Sequence, residues 1–76
     1  MTVEQIHKNL LQVLLTVAET HAAVQKNGEE IMGTRDAMLQ MERTSAQITT
    51  ARVACEAAGI SPAVINTVVE TTLAAA

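Results

Sequence analysis

The sequence predicts an all-α protein in which an antiparallel helical hairpin and a short C-terminal helix form an oligomeric bundle. Apolar residues recur every three or four positions along most of the chain, which is the spacing of one face of an α-helix. Residues typical of helix ends occur near the start and again at Gly59–Pro62. Between them, the stretch Gln25–Thr34 contains two glycines and interrupts the pattern. One long helix followed by the same short helix is the alternative.

The composition indicates a small domain that needs association for stability. The chain has 76 residues, and we expect one helical domain over residues 1–76. A domain of this size buries a modest share of its surface, so its own stability is marginal. Cys55 is the only cysteine, so no disulfide can form within the chain, and no Cys/His cluster predicts a structural metal. We therefore expect a homo-oligomer.

Charge and composition argue against nucleic acid and membranes as partners. The net charge is -3, the five Lys and Arg residues are scattered, and there is no Phe, Trp or Tyr to stack on bases. The apolar stretch Leu10–Ala18 is broken by Gln12 and Thr16 and is too short to span a bilayer. No cleaved signal peptide is visible, so the expected location is the cytoplasm or an assembly that incorporates the protein.

Thr2 and Gln5 predict the start of the first helix, which we expect over residues 3–27. They have the spacing of a capping box, in which each residue's side chain bonds the other's backbone N–H. Two adjacent rows of apolar residues then cover an arc of about 200°. The first row is Val3, Ile6, Leu10, Val13, Leu14, Val17, His21 and Val24, and the second is Leu11, Leu15, Ala18 and Ala22. An arc this wide predicts more than one neighbouring helix.

The end of the first helix is predicted at Asn27–Gly28. Glycine suits the left-handed residue just past a helix end, and Lys26 would be the favourable cation near that end. Glu29 and Glu30 would then be favourable anions at the start of the second helix, expected over residues 29–58. A glycine inside a continuous helix would instead cost about 1 kcal/mol.

Gly33–Thr34 is a second candidate for the reversal of the chain. There Thr34 would cap the second helix, and Asp36 would lie in its first turn. We favour Asn27–Gly28 because the cap and charge signals agree at that point.

The third helix is expected over residues 62–75. Gly59 ends the second helix, and Ser61–Pro62 has the cap and first residue typical of a new one. Ile60 and Ile65 have the spacing of a hydrophobic staple. Since many of its residues are β-branched, this helix needs packing to hold it. The expected docking site is a strip of small residues, Ala51, Ala54 and Ala58, or a neighbouring subunit.

The residues whose side chains could take part in catalysis or metal binding are better interpreted as structural. His7 and His21 fall within the apolar arc, so we interpret them as residues at a contact between helices. The polar edge of each imidazole ring is then expected to be hydrogen-bonded. A pH-sensitive interface and a metal site shared between subunits are the alternatives. Cys55 is interpreted as a buried small apolar side chain.

The methionines and the acidic pair have structural interpretations too. Met32, Met38 and Met41 predict core positions, with an adaptable binding groove as the alternative. Glu29 and Glu30 are interpreted as helix N-terminal charges rather than catalytic carboxylates. No phosphate loop, nucleophile motif or metal-ligand spacing is present, so we expect no enzyme and no cofactor.

The predicted function is that of a small self-associating structural or assembly protein, bacterial or viral. The alternative is a regulatory module, of the adaptor or inhibitor type, that holds a heterologous protein. The residues expected at a protein interface are Ile6, Leu10, Leu11, Leu14, Leu15, Met38, Met41, Val64 and Val68.

The predicted architecture resembles that of the small secreted helical hairpins called WXG100 proteins. The likeness lies in the short, aromatic-poor chain. The Trp-x-Gly turn of that family is replaced here by Asn27–Gly28, so the resemblance implies a hairpin and no residue's role.

Overall fold

The computed structural model describes residues 2–75 and contains three α-helices. They are α1 (Val3–Met32), α2 (Thr34–Ala57) and α3 (Pro62–Ala75). The all-α prediction is therefore confirmed. The helices pack into a body of 42 × 20 × 19 Å, whose long dimension is that of α1 and α2.

The capping box at the start of α1 is confirmed. The Gln5 backbone N–H donates to Thr2 Oγ1 at 3.2 Å, and the Thr2 backbone N–H donates to Gln5 Oε1 at 3.0 Å. Two of the backbone donors left free at a helix N-terminus are thereby satisfied.

The chain reverses at Gly33, so the predicted turn at Asn27–Gly28 is wrong. Gly33 has φ 86° and ψ 161°, a backbone conformation that is essentially restricted to glycine. Its N–H donates to the Glu29 carbonyl and its carbonyl accepts from the Ala37 N–H, both at 3.0 Å. Gly33 thus ends α1 and caps α2. Thr34 is the first residue of α2 rather than its cap, and Asp36 lies in the first turn as expected.

Gly28 lies inside α1 because the two long helices approach each other there. It is buried, and a Cβ at this position would lie 3.0 Å from Val24 Cγ1 and 3.2 Å from Ala37 Cβ. The glycine therefore allows α1 and α2 to approach closely at this point, where a Cβ would make tight contacts with both neighbours.

α1 and α2 lie side by side and run in opposite directions. Gly28 meets Ala37, His21 bonds Thr44, and His7 bonds Ala58, so residue numbers rise along one helix as they fall along the other. The buried residues of α2 are Ala37, Thr44, Ile48, Ala51 and Cys55. Their spacing of three, four and seven is that of a helix packed along its length on another.

The link from α2 to α3 confirms the predicted end signals. The N–H groups of Gly59 and Ile60 donate to the carbonyls of Glu56 and Cys55, at 3.0 and 3.1 Å, which is the Schellman pattern. Gly59 has φ 88°, as that pattern requires. Pro62 then begins α3. Ile60 and Ile65 are both buried in the same core cluster, as expected of the staple.

α3 packs mainly along α1, not on the strip of small residues in α2 where we expected it. Ala54 of that strip stays exposed, and the Ala58 carbonyl bonds His7 instead. One polar contact, Arg52 to Asn66 at 3.0 Å, connects α2 and α3. α1 thus lies between two helices, which accounts for its wide apolar arc. The partly buried residues around the core are Leu10, Leu11, Val17, Val68 and Leu73.

Candidate interaction surface

The two histidines are satisfied helix–helix contacts, which confirms their structural interpretation. His7 Nε2 lies 2.8 Å from the Ala58 carbonyl, so this nitrogen carries the proton and donates it. His21 Nδ1 lies 2.7 Å from the hydroxyl of Thr44. The same hydroxyl lies 3.1 Å from the backbone carbonyls of Gln40 and Met41, so the contact connects His21 to the backbone of α2. Thr44 is fully buried, so the pair stabilises one register of α1 against α2.

Cys55 is confirmed as a buried residue of the core. Its side chain has no exposed surface, and it packs in the cluster that contains Leu14, Ile48 and Ile65. Burial raises the pKa of the Cys55 thiol because the thiolate would be poorly solvated there. The thiol is therefore a poor nucleophile at neutral pH.

The residues predicted at an interface fall into four environments. Leu14 is fully buried within the chain and belongs to its own core. Leu11, Leu15 and Val68 line a groove between α1 and α3, here called the α1–α3 groove. Leu10 and Met41 are half-buried, while Ile6, Val64 and Met38 are exposed.

The charged residues of α1 lie on one side of the helix, towards α3. Glu4 and Lys8 line one end of the α1–α3 groove, and Glu19 and Lys26 line its continuation. At about 100° per residue, Glu29 and Glu30 fall within the same arc. The opposite half of α1 consequently carries no charge.

That uncharged half borders a second groove, formed by α1 and α2 on the side away from α3. Val13 and Val17 line it from α1, and α2 contributes Arg43, Ala46, Gln47, Thr50, Ala51 and Ala54. Ile6 and Ile31 continue the valine row towards the two ends of α1, within an arc of about 40°. We call this surface the α3-free face. Val13 is 54% exposed on it, although a valine in a monomer is more often buried.

A cluster of exposed apolar side chains surrounds the turn at Gly33. Ile31 is 77% exposed and Met38 is 60% exposed, and Met32 and Leu39 are exposed beside them. The prediction that Met32 and Met38 belong to the core is therefore wrong. Where Gly28 meets Ala37 the two helices are too close to accept a long side chain between them, so the methionines lie outside. We call these residues the turn-end cluster.

The predicted role of Glu29 and Glu30 is also wrong. Both lie in the last turn of α1 rather than at the start of α2, and that turn contains no basic residue. Negative charge at a helix C-terminus opposes the helix dipole, so this end of α1 is electrostatically unfavourable.

The sequence pattern did not identify the α3-free face as one surface. Its α1 row was visible as part of the apolar arc. Its α2 row combines alanine and threonine with Arg43 and Gln47, so it has no strong apolar signal and becomes a surface only once α3 packs on the other side. The sequence did contain one signal that separates the two sides of α1, namely the distribution of charge around that helix.

Comparison with known proteins gives no assignment for this chain: no family model, curated protein or solved structure matches it. None of the helices within residues 2–75 is both long and apolar enough to cross a membrane. Over the same residues, no three His, Cys, Asp or Glu side chains are grouped so as to hold a metal ion.

Proposed function

We propose that this protein is a small structural protein that assembles by packing its helices against other copies of itself. The observation that supports this most strongly is the α3-free face, which is uncharged along α1 and leaves Val13 about half exposed. The chain's other long side, by contrast, is covered by α3 and bordered by charges.

The energetics of a small domain favour this function. Burial of apolar surface contributes roughly 25 cal/mol per Å², and this chain leaves large apolar side chains exposed along α1 and around the turn. The core contains no aromatic residue and is built largely of alanine, valine, isoleucine and leucine. Association would bury the exposed residues and add to a stability that is otherwise marginal.

Light scattering coupled to size-exclusion chromatography tests the proposal directly. We expect the full chain, of 8.1 kDa, to elute with a mass that is an integral multiple of this value. The mass should fall towards the monomer on dilution. A well-folded monomer at every concentration would contradict self-association.

A second function, a regulatory module that holds another protein, is favoured by the turn-end cluster. Methionine side chains are flexible and polarizable, and they adapt to partners of different shape. Under this function the chain is monomeric, and Met38→Gln removes partner binding without changing its mass. The same light-scattering experiment therefore separates the two proposals.

A further inference from the structure

We propose that two copies of this chain pack their α3-free faces together about a two-fold axis parallel to the helices, so that α1 of each copy lies along α2 of the other. This inference rests on the proposed function and specifies the geometry of its first assembly step. The product is a four-helix core with the two α3 helices on the outside.

The shapes of the two rows on the face support this arrangement. The α1 row carries β-branched side chains, Val13 and Val17, whereas the α2 row carries Ala46 and Ala54, whose short side chains leave recesses beside Arg43, Gln47 and Thr50. Projecting side chains pack best into recesses, as ridges pack into grooves between helices. In an isologous contact each copy supplies both rows, so the valine row of each copy meets the alanines of the other.

The register within the chain places these rows at the same height. His7 bonds Ala58 and His21 bonds Thr44, so Val13 and Val17 lie level with the segment of α2 between those two partners. Rotation about an axis parallel to the helices preserves height. The valines of one copy therefore face the small residues of the other without any shift along the helix.

The other face-to-face arrangement has its two-fold axis across the helices and fits less well. It would place α1 on α1, with the valine rows meeting each other, and α2 on α2, with Arg43 and Gln47 of both copies in the same contact and no valine opposite the alanines. Gaps and overpacked contacts both reduce stability. Neighbouring helices are antiparallel in both arrangements, as in up-and-down four-helix bundles, so the fit of the side-chain rows decides between them.

The size and charge of the face suit a second copy as its occupant. The body is 42 Å long and 20 Å wide, so its whole long side has a projected area of about 800 Å², and a face that covers most of that side approaches the usual contribution of one partner to a stable interface. Arg43 is the one charged residue among those that line the groove. Its long side chain can keep the guanidinium at the rim.

The same rotation brings the turn-end clusters of the two copies to the same end of the dimer. Ile31 and Leu39 of one copy would then lie beside those of the other, which reduces the exposure of residues that the single chain leaves uncovered. The opposite arrangement would hold the two clusters at opposite ends.

Two matched variants test which face is used. Val13→Glu changes the α3-free face, and Val64→Glu changes α3, where the valine is 44% exposed against 54% for Val13. Both changes are at exposed sites, so circular dichroism should show folded helices in each. We expect Val13→Glu to reduce the mass to that of the monomer and Val64→Glu to leave the oligomer intact. The reverse result would overturn the proposal while leaving self-association standing.

Disulfide trapping between separate chains tests the geometry. Two single-cysteine chains, Val13→Cys and Ala54→Cys, are made in a Cys55→Ala background, mixed in equal amounts and oxidised. We expect the mixed dimer to exceed the half expected from random pairing. A product dominated by Val13→Cys paired with itself would show α1 on α1 and overturn the geometry. If the variants form no cross-linked dimer and the wild type is itself monomeric, the proposed function is rejected.

Discussion

Replacing Gly28 with alanine tests how closely α1 and α2 approach each other. The added Cβ would lie 3.0 Å from Val24 Cγ1 and 3.2 Å from Ala37 Cβ, whereas carbon atoms prefer about 3.5–4.0 Å. Alanine gains about 1 kcal/mol over glycine in a helix interior, but overpacking a tight contact costs about 1–3 kcal/mol. Val24 is restricted to one main rotamer in a helix, and the Ala37 Cβ is fixed to its backbone. We therefore expect a net loss of about 1 kcal/mol.

Urea unfolding followed by circular dichroism measures this loss. Protein concentration is held constant, because the stability of an associating protein depends on it. A second change, Ala37→Gly, is made in both backgrounds. Alone it should cost about 1 kcal/mol of helix propensity, but beside Gly28→Ala it should cost less, with a coupling of at least about 0.5 kcal/mol.

Gly33→Ala is the matched control, because it affects the backbone and not the packing. Nothing lies within 4 Å of a Cβ at Gly33, but its φ of 86° is strained for any other residue. We expect a cost of about 1–3 kcal/mol that Ala37→Gly does not relieve. If Gly28→Ala instead stabilises the protein by about 1 kcal/mol without coupling to Ala37, the helices do not touch there and this account of Gly28 is refuted.

Two further predictions concern charge. Replacing Glu29 and Glu30 with lysine reverses the unfavourable charge in the last turn of α1. Thermal melting should therefore show a gain in the free energy of unfolding of about 0.3–1 kcal/mol for each change. A decrease would show that α1 does not end at Met32. For Cys55, the folded-state pKa is raised, so its contribution to stability is complete below the ordinary value of 9.0 and is lost as pH rises above it. Chemical unfolding from neutral to alkaline pH should show this decline, and the decline should be smaller in Cys55→Ala.

The parts of the fold that were predictable from the sequence are those decided by neighbouring residues. Thr2 with Gln5 marks the start of α1, and Gly59 with Ser61–Pro62 marks the boundary of α2 and α3. Each is a set of backbone hydrogen bonds or fixed dihedral angles within one short segment. Such signals hold whatever packs around them.

The position of the main turn was not predictable in the same way, because glycine has two uses. Gly28 and Gly33 lie in one polar stretch, and either suits a turn. Gly28 lies inside α1 where Ala37 packs against it, which is a contact between helices that no local pattern shows. Once Gly28 is interior, Glu29 and Glu30 belong to the end of α1, where their charges are unfavourable.

The candidate surface was only partly predictable for a similar reason. Ile6 was named as an interface residue from the apolar row on α1, and it borders the α3-free face. Leu14 was named from the same row, but it lies in the core. Which side of α1 stays open depends on where α3 packs, and this is decided by the tertiary fit of Ile65 and Val69 into the core.

The distance between the turns of two associated chains tests the proposed assembly most directly. Arg35 is exposed beside the turn, so Arg35→Cys in a Cys55→Ala background can carry a single spin label per chain. With helix axes about 8–10 Å apart and both turns at one end of the dimer, pulsed electron paramagnetic resonance should give a separation below about 30 Å. A separation of at least the 42 Å length of the chain, or no distance between chains at all, would contradict the account.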